Sequence, residues 1–232
     1  LWAMILFITT MLIAFIPMAM AGLWPEPKRT KIFQVTSRVW MRIFLFLVGI
    51  RLVRKGKNNV APNTNYIVVC NHNSLMDVPI STPFIPGRPN KSIAKIEMSK
   101  IPLFGLIYKR GAVLVDRKNE ESRKASYRKM QDVLEMGMHM CVYPEGTRNK
   151  TKEPLQPFHN GAFRLAVDNR KSIIPTLIFN TGKALPRKPF FFWLCKIEMH
   201  FLKPVAPDSL TAEQLKEKLF LLMKDYYVQH QH

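Results

Sequence analysis

The chain opens on an unbroken apolar stretch and changes further on to alternating polar and apolar positions. Residues 1–22 contain no charged side chain. At a rise of about 1.5 Å per residue, a helix of this length measures about 33 Å, enough to cross a hydrocarbon core of about 30 Å. Its length and the missing basic segment in front of it disfavour a cleaved signal peptide. We expect an apolar helix over residues 1–22 that either crosses a bilayer or lies half sunk in one leaflet. The basic residues that follow it predict a cytoplasmic body (Lys28, Arg29 and Lys31).

A second apolar stretch, residues 32–50, carries one polar stripe. Gln34, Arg38 and Arg42 recur every four residues, and only eight uncharged residues separate Arg42 from Arg51, too few to span a bilayer. The pattern predicts an amphipathic helix that lies among lipid headgroups. A core helix with two exposed arginines is the alternative. The side chains expected to face the acyl chains are Val35, Val39, Trp40, Ile43, Phe46 and Leu47.

From residue 51 onward, short β-rich runs alternate with helical patterns. This alternation predicts an α/β domain with a central, mostly parallel sheet flanked by helices. Thr211, followed three residues later by Gln214, is a capping box that opens the last helix. We expect residues 51–232 to form one domain behind a membrane-associated segment, residues 1–50. The predicted strands are residues 66–70, 92–96, 112–116, 138–143, 173–180 and 194–202, and the predicted helices are residues 122–136, 161–169 and 211–227.

The composition is that of a globular protein with a strong basic excess. Hydrophobic residues make up 47% and charged residues 22%, and 35 Lys and Arg against 16 Asp and Glu give a net charge of +19. Such a charge favours anionic partners: a phospholipid surface, phosphorylated metabolites or nucleic acid. The excess is spread over the body, whereas a nucleic-acid-binding arm concentrates it in a run. The three cysteines are far apart and lack metal-ligand spacing, so we expect reduced, buried thiols and no metal site.

Two strand-to-helix junctions contain several polar and titratable side chains. The first junction is residues 71–77. His72 and Asp77 are five residues apart, which on one continuous helix separates them by about 140°. They meet only if His72 lies in the turn and Asp77 lies in the first helical turn. Ser74 is a good N-cap, with Asp77 at the capping-box position. In that geometry His72 is a candidate general base whose tautomer Asp77 fixes. The alternative is a loop histidine beside a helix cap.

The second junction is residues 143–149. Pro144 and Gly146 occupy the second and fourth positions of a turn, which predicts type I geometry. The backbone N–H groups of such a turn and the planar fork of Arg148 suit a phosphate group. An ordinary polar turn with a solvated arginine is the alternative. Arg117 lies at the end of a further predicted strand.

Taken in order, these motifs resemble those of the glycerolipid acyltransferase family, and within it the 1-acylglycerol-3-phosphate (lysophosphatidate) acyltransferases. The resemblance covers about residues 50–205 and includes the membrane-docking helices before them. It implies a glycerol-3-phosphate acyltransferase-like α/β fold. The positions that carry it are Asn71, His72, Ser74 and Asp77, then Gly111, Val115, Asp116 and Arg117, then the run Tyr143 to Arg148, and then Ile174, Pro175 and Thr176.

The resemblance also implies roles for individual residues. His72 and Asp77 are the expected catalytic pair, and Pro175 is expected on the acyl-binding side. Where relatives commonly have two lysines, this chain has His159 and Asn160, so a lysine role there is in doubt and His159 is a candidate donor. The expected ligands of the glycerol phosphate are Arg117, Glu145, Gly146, Thr147 and Arg148, and a basic block near the site is represented by Lys95 and Lys100.

The implied reaction is a direct acyl transfer without cofactor or metal. Neutral His72 takes the proton of the sn-2 hydroxyl of 1-acylglycerol 3-phosphate, which attacks the thioester carbonyl of acyl-CoA or acyl carrier protein and gives phosphatidate. One alternative is a sibling enzyme for glycerol 3-phosphate or another lysophospholipid. A non-enzymatic alternative is a membrane-anchored basic binding protein. The expected partners are a phospholipid surface, lysophosphatidate and the acyl donor, with no nucleic acid, at the cytoplasmic face of a membrane. The aromatic run at residues 189–193 is either a further interfacial anchor or a buried strand entry.

Overall fold

The computed structural model describes residues 2–187 and 192–231. Its strands are β1 (Arg51–Lys55), β2 (Ile67–Cys70), β3 (Asn90–Lys95), β4 (Ala112–Val115), β5 (His139–Val142), β6 (Ile173–Phe179) and β7 (Lys196–Phe201). They form one sheet in the order β1-β7-β6-β2-β5-β3-β4. β6 and β7 pair antiparallel, and the other neighbouring strands pair parallel. The predicted mostly parallel α/β sheet is therefore confirmed.

The described α-helices are α1 (Trp2–Met20), α2 (Lys28–Leu47), α3 (Asp77–Ser81), α4 (Phe104–Gly111), α5 (Glu120–Glu135), α6 (Gly161–Asp168), α7 (Thr181–Ala184) and α8 (Ala212–His230). The sheet separates two apolar layers. Val68 and Cys70 face the layer that contains α1 and α2, while Ile67 and Val69 face α5, α6 and α8. The predicted capping box of Thr211 and Gln214 is confirmed at the start of α8.

Strand β1 was not predicted from the sequence. Its segment, Arg51 to Lys55, is basic at both ends and has no continuous apolar run. It pairs with β7 at one edge of the sheet. Basic side chains are common on edge strands because they hinder pairing with other chains, and they also hide the strand pattern from a search for apolar runs.

Helices α1 and α2 pack antiparallel against each other. The ring of Phe7 in α1 lies 5.2 Å from that of Trp40 and 5.3 Å from that of Phe44 in α2, measured between centroids. Trp40 is buried, and its Nε1 donates to Thr10 Oγ1 at 3.0 Å. Trp40 therefore contacts α1 and not lipid, which corrects the prediction made from the apolar pattern. The other apolar side chains predicted for that face are exposed: Val35, Val39, Ile43, Phe46 and Leu47.

The polar stripe of α2 faces the protein body over much of its length. Gln34 is buried, donates to the Thr82 carbonyl and accepts from the backbone N–H of Asn90. Arg38 Nε donates to the Pro83 carbonyl at 2.6 Å. The stripe therefore fixes α2 to the sheet domain and leaves the apolar side chains at the surface.

Among the described residues, one helical segment, Trp2–Leu23, is long and apolar enough to cross a membrane, with a mean hydropathy of 2.3. Only 17% of its most apolar window is buried in the protein. The segment fits membrane association. The division of the chain into a membrane segment and a catalytic domain at residue 50 stays a prediction.

Parallel strands place their carboxyl ends at one edge of the sheet, where sites of α/β proteins form. Strands β2 to β6 run in the same direction, so the segments that follow them meet at this edge. The segments include the 71–77 and 143–149 junctions, Arg117 after β4, and Thr181 after β6.

Candidate active site

His72 and Asp77 are in direct contact. Asp77 is the first residue of α3, and His72 lies in the turn between β2 and that helix. The distance from His72 Nδ1 to Asp77 Oδ2 is 2.7 Å. This confirms the predicted geometry, in which a chain reversal brings together two side chains that a continuous helix keeps apart.

The carboxylate of Asp77 is buried and fully hydrogen-bonded. Only 1% of Asp77 is exposed. Besides the imidazole, Oδ2 accepts the backbone N–H groups of Asn73 at 2.6 Å and Ser74 at 2.7 Å, and Oδ1 accepts the hydroxyl of Thr181. The predicted N-cap at Ser74 is wrong, because α3 begins at Asp77 and its N-cap residue is Met76. Asp77 still accepts the Ser74 N–H, and Ser74 Oγ accepts the Met76 N–H. These donors hold the carboxylate in place and offset the cost of burying its charge.

The contact with Asp77 assigns the tautomer of His72. A carboxylate oxygen is an acceptor, so Nδ1 carries the proton and Nε2 keeps its lone pair. The imidazole is 19% exposed and lies against the Tyr143 ring, with centroids 4.6 Å apart. Nε2 is consequently equipped to take a proton from a bound hydroxyl group. The Ser74 hydroxyl donates to the Leu185 carbonyl at 3.0 Å, so its proton is directed away from His72.

Residues of the second junction form hydrogen bonds with the backbone of His72. Glu145 Oε1 accepts the His72 N–H at 2.7 Å, and the Asn149 N–H donates to the His72 carbonyl at 2.6 Å. The predicted tight turn is present, because the Gly146 N–H donates to the Tyr143 carbonyl at 3.0 Å. The two junctions therefore form one hydrogen-bonded unit.

Glu145 has a different place from the one the sequence predicts for a phosphate ligand. Its side chain is buried, and Oε2 accepts the Gln156 N–H at 3.0 Å. Desolvation by burial raises the pKa of Glu145 to about 7, against the lowering effect of the backbone hydrogen bonds from Gln156 and His72. A buried carboxylate with backbone donors on both oxygens holds the loop and does not bind a substrate anion.

Gly146 is the point where three elements meet. Its φ of +70° is in the left-handed region, and a Cβ there would lie 2.8 Å from the His159 ring. Both facts require glycine. An Arg117 Nη1 group donates to the Gly146 carbonyl, so Arg117 reaches the predicted site from β4. Thr147 is exposed beside it.

Arg148 lines a cleft of about 410 Å³. The cleft is also lined by Ser74 and Leu75 of the first junction and by Lys150 and Arg187. Of the two arginines predicted to bind the phosphate, Arg148 lines this cleft, and Arg117 contacts the Gly146 carbonyl.

The structure does not bring the remaining predicted residues into contact with His72. Lys95 and Lys100 are exposed, and Lys95 is the last residue of β3. Pro175 is buried within β6, opposite Val69 of β2. Alternation along β6 places Pro175 on the face of Ile173, which α6 and α8 cover. The roles of these three residues stay predictions.

An apolar cavity of about 100 Å³ lies on the opposite face of the sheet from Pro175. It is bounded by the α1–α2 pair, by α4 and by the residues that follow Asp77 in α3. Its lining residues include Phe7, Trp40, Val78, Pro79, Phe104 and Ile107. The cavity therefore begins one residue after the buried carboxylate of the candidate catalytic pair.

Sequence reasoning missed Thr181 as a partner of Asp77. The two residues are 104 positions apart, and Thr181 gave no local signal beyond its place after a strand. Asn71 was noted as part of the motif but without its role. Its side chain donates to the Ile178 carbonyl at 3.0 Å and accepts the Ile178 N–H at 2.7 Å, which fastens the end of β2 to β6.

The aromatic run at residues 189–193 lies partly outside the described residues, which exclude 188–191. Phe192 packs on Phe44 of α2 with ring centroids 5.4 Å apart, and Trp193 is exposed. Phe192 is partly buried and packs against the core, and the interfacial role stays a prediction for Trp193.

The fold and the site define an α/β enzyme that places an imidazole base, oriented by a buried carboxylate, beside cationic loops. A sequence model of the Acyltransferase family matches residues 51–179, more than half of the chain. The chain belongs to this acyltransferase family.

Named relatives agree with this assignment. The 1-acyl-sn-glycerol-3-phosphate acyltransferase of Borreliella burgdorferi is 26% identical over 195 residues, covering 84% of this chain and 77% of that protein. The alpha form of this enzyme from Homo sapiens is 31% identical over 172 residues, covering 73% of this chain and 60% of the human protein. The crystal structure of the 1-acyl-sn-glycerophosphate (LPA) acyltransferase from Thermotoga maritima matches the fold with a TM-score of 0.78 at 23% identity, covering 97% of this chain and 95% of that one.

Proposed function

We propose that this acyltransferase moves a fatty acyl group from an acyl thioester to the sn-2 hydroxyl of 1-acyl-sn-glycerol 3-phosphate. The product is phosphatidate. The observation that carries the proposal is the His72–Asp77 pair, whose imidazole is partly exposed. Ser74 of the same junction lines a cleft with Arg148, Lys150 and Arg187, which suits a substrate phosphate. The names of the relatives support this choice of acceptor over other hydroxyl compounds.

The proposed reaction needs no cofactor. His72 Nε2 takes the proton of the sn-2 hydroxyl as its oxygen attacks the thioester carbonyl carbon. The tetrahedral intermediate then collapses, the carbon–sulfur bond breaks, and the imidazolium returns the proton to the leaving thiolate. General base catalysis of this kind contributes roughly 10² to 10⁴ in rate. Among the described residues, no group of His, Cys, Asp and Glu is arranged to hold a metal ion.

We further propose that the protein docks on a phospholipid surface through α1 and α2, with the catalytic domain on the cytoplasmic face. Both helices expose apolar side chains, and Phe46 is 83% exposed. The basic residues at the start of α2, Lys28, Arg29 and Lys31, suit anionic headgroups. Docking of this kind places the apolar cavity between the α1–α2 pair and the sheet within reach of a lipid chain.

Thiol release from acyl-CoA and from acyl carrier protein, measured with a panel of acceptors, tests the proposal. The panel contains lysophosphatidate, glycerol 3-phosphate, lysophosphatidylcholine and no acceptor. We expect release with lysophosphatidate at the highest kcat/KM and phosphatidate as the product. Higher kcat/KM with another acceptor makes the protein a sibling acyltransferase. The absence of release with every acceptor and both donors leaves a basic binding protein and contradicts the enzymatic proposal.

A further inference from the structure

Three cations surround the cleft beside the first junction. Arg148, Lys150 and Arg187 line it, together with Ser74 and Leu75. Within residues 2–187 and 192–231, no carboxylate forms a salt bridge with any of the three cations. A cleft lined by unpaired positive charges attracts an anion.

One peptide group connects this cleft to the candidate base. The N–H of Asn149 donates to the His72 carbonyl at 2.6 Å. The carbonyl of the same peptide group belongs to Arg148, and it accepts from Arg187 Nη2 at 3.2 Å. The same Nη2 also donates to the Asn149 carbonyl at 2.8 Å. Arg187 therefore lies one peptide group away from the backbone of His72, although it is 115 residues further along the chain.

The chemistry of the acceptor limits where its phosphate binds. Four covalent bonds of about 1.5 Å separate the sn-2 oxygen from the phosphorus, so the two atoms lie within about 6 Å. The oxygen itself must be about 3 Å from Nε2 for proton transfer. The phosphate of the acceptor therefore binds next to His72. The phosphates of a pantetheine-linked donor are separated from its thioester by a long flexible arm and are under no such limit.

We propose that the phosphate of the acceptor binds in this cleft and that Lys150 and Arg187 select it together with Arg148. The inference rests on the proposed function. The planar guanidinium of Arg187 donates from Nη2 to two backbone carbonyls. Its other N–H groups suit a phosphate oxygen. Lys150 adds an exposed point charge at the same opening. Arg117 donates to the Gly146 carbonyl and does not appear in the lining of this cleft.

Steady-state kinetics of the full-length protein in phospholipid nanodiscs tests the assignment. Arg187→Gln is expected to raise the KM for lysophosphatidate roughly tenfold or more, because a charge-assisted hydrogen bond to phosphate is lost. Lys150→Ala is expected to raise it about threefold, since the lysine is exposed. The KM for acyl-CoA and kcat should stay within about twofold of wild type. Arg128→Gln and Lys129→Ala, exposed cations on α5, are the matched controls.

Two kinetic outcomes overturn the proposal. A rise in the KM for acyl-CoA with no change for lysophosphatidate assigns the cleft to the donor. A fall in kcat with 1-acylglycerol, which lacks a phosphate, as large as the fall with lysophosphatidate shows that Arg187 only holds the 143–149 loop. Arg187→Lys separates the two roles, because it keeps the charge and should recover part of the affinity for lysophosphatidate.

A direct measurement of phosphate binding tests the inference independently of enzymatic turnover. Calorimetric titration with sn-glycerol 3-phosphate, a soluble probe that carries the same phosphate, should show weaker binding to the Lys150→Ala and Arg187→Gln variants than to wild type. Equal affinity of wild type and both variants contradicts the proposed cleft. If wild-type protein binds the probe but transfers no acyl group, the proposed function fails while the phosphate site stands.

Discussion

The 71–77 junction and the cationic side chains around it are built in opposite ways. Asp77 is 1% exposed and accepts hydrogen bonds from an imidazole, two backbone N–H groups and a hydroxyl group. Lys150 and Arg187 are exposed, and Arg187 donates to two backbone carbonyls. The side chains of the 71–77 junction are held in place by hydrogen bonds, whereas the long cationic side chains around it extend into solvent.

The difference follows from what each task requires. A general base acts only when its nitrogen lies within about 3 Å of the hydroxyl, so its ring is held by buried partners. Recognition of a phosphate tolerates flexible side chains because charge attraction falls off slowly with distance. Changes in the buried region should therefore lower kcat, and changes in the exposed region should raise KM.

The largest effect is expected at the base itself. His72→Ala removes the proton acceptor, so kcat should fall by roughly 10² to 10⁴, while the protein stays folded and bound to the membrane. Acyl transfer to lysophosphatidate is the measurement, with circular dichroism and vesicle co-sedimentation as controls. Wild-type turnover in this variant rules out His72 as the base.

The next effect tests the partners of the base. Asp77→Asn places an amide where the carboxylate accepts from His72, Asn73 and Ser74, so it disturbs the tautomer and unpairs a buried donor. We expect kcat to fall about 10²-fold, and about tenfold in Thr181→Val, which removes one donor to Asp77. KM for lysophosphatidate should change little in either variant. A rise in KM with unchanged kcat would place these residues in recognition and break the contrast between the two regions.

The fold and the contact between His72 and Asp77 were predictable because their signals are local. Short apolar runs gave six of the seven strands, since each lies near the centre of the sheet or beside an apolar layer. The spacing of His72 and Asp77, with Ser74 between them, indicated a reversal followed by a helix, and the family resemblance favoured this geometry over a loop histidine beside a helix cap. Both conclusions depend on neighbours within ten residues.

The other features of the site and of α2 could not be predicted from the local sequence. Thr181 and Arg187 join the site from segments more than a hundred residues away, and only the strand order brings them there. Glu145 resembles a ligand in its motif, but its burial is a property of the assembled loops. Trp40 shares the apolar pattern of α2, yet α1 covers it. Such facts arise from packing between elements and leave no pattern in any single segment.

Glu145 gives a pH-dependent test of the buried region. Glu145→Gln places an amide nitrogen against one of the two backbone N–H groups that the carboxylate accepts, so we expect kcat to fall about tenfold. Burial raises the pKa of Glu145 from 4.5 to about 7 in the folded protein. Its contribution to stability is therefore complete below pH 4.5 and is lost as the pH rises to 7.

Thermal unfolding in detergent measures this contribution. The difference in Tm between wild type and Glu145→Gln should shrink from pH 4.5 to pH 7 and stay constant above it. Glu153→Gln, at an exposed position in the same loop region, is the control and should show no such trend. A difference that grows with pH over this range contradicts the buried, desolvated state of Glu145.

The smallest effect is expected on helix α2, where the contrast between buried and exposed side chains recurs within one element. Phe46 is 83% exposed and Trp40 is 7% exposed. If the exposed face contacts lipid, Phe46→Ser should weaken partitioning onto anionic vesicles about three- to tenfold, because part of the apolar transfer energy of the ring is lost. Trp40→Phe should leave partitioning unchanged and lower Tm, since it removes the hydrogen bond to Thr10 between α1 and α2.

Met136→Ser, which changes an exposed apolar residue after α5, is the control for a general loss of surface hydrophobicity. Equal partitioning of wild type and Phe46→Ser, together with a drop for Met136→Ser, would move the docking surface to the opposite layer of the sheet, because α5 packs there.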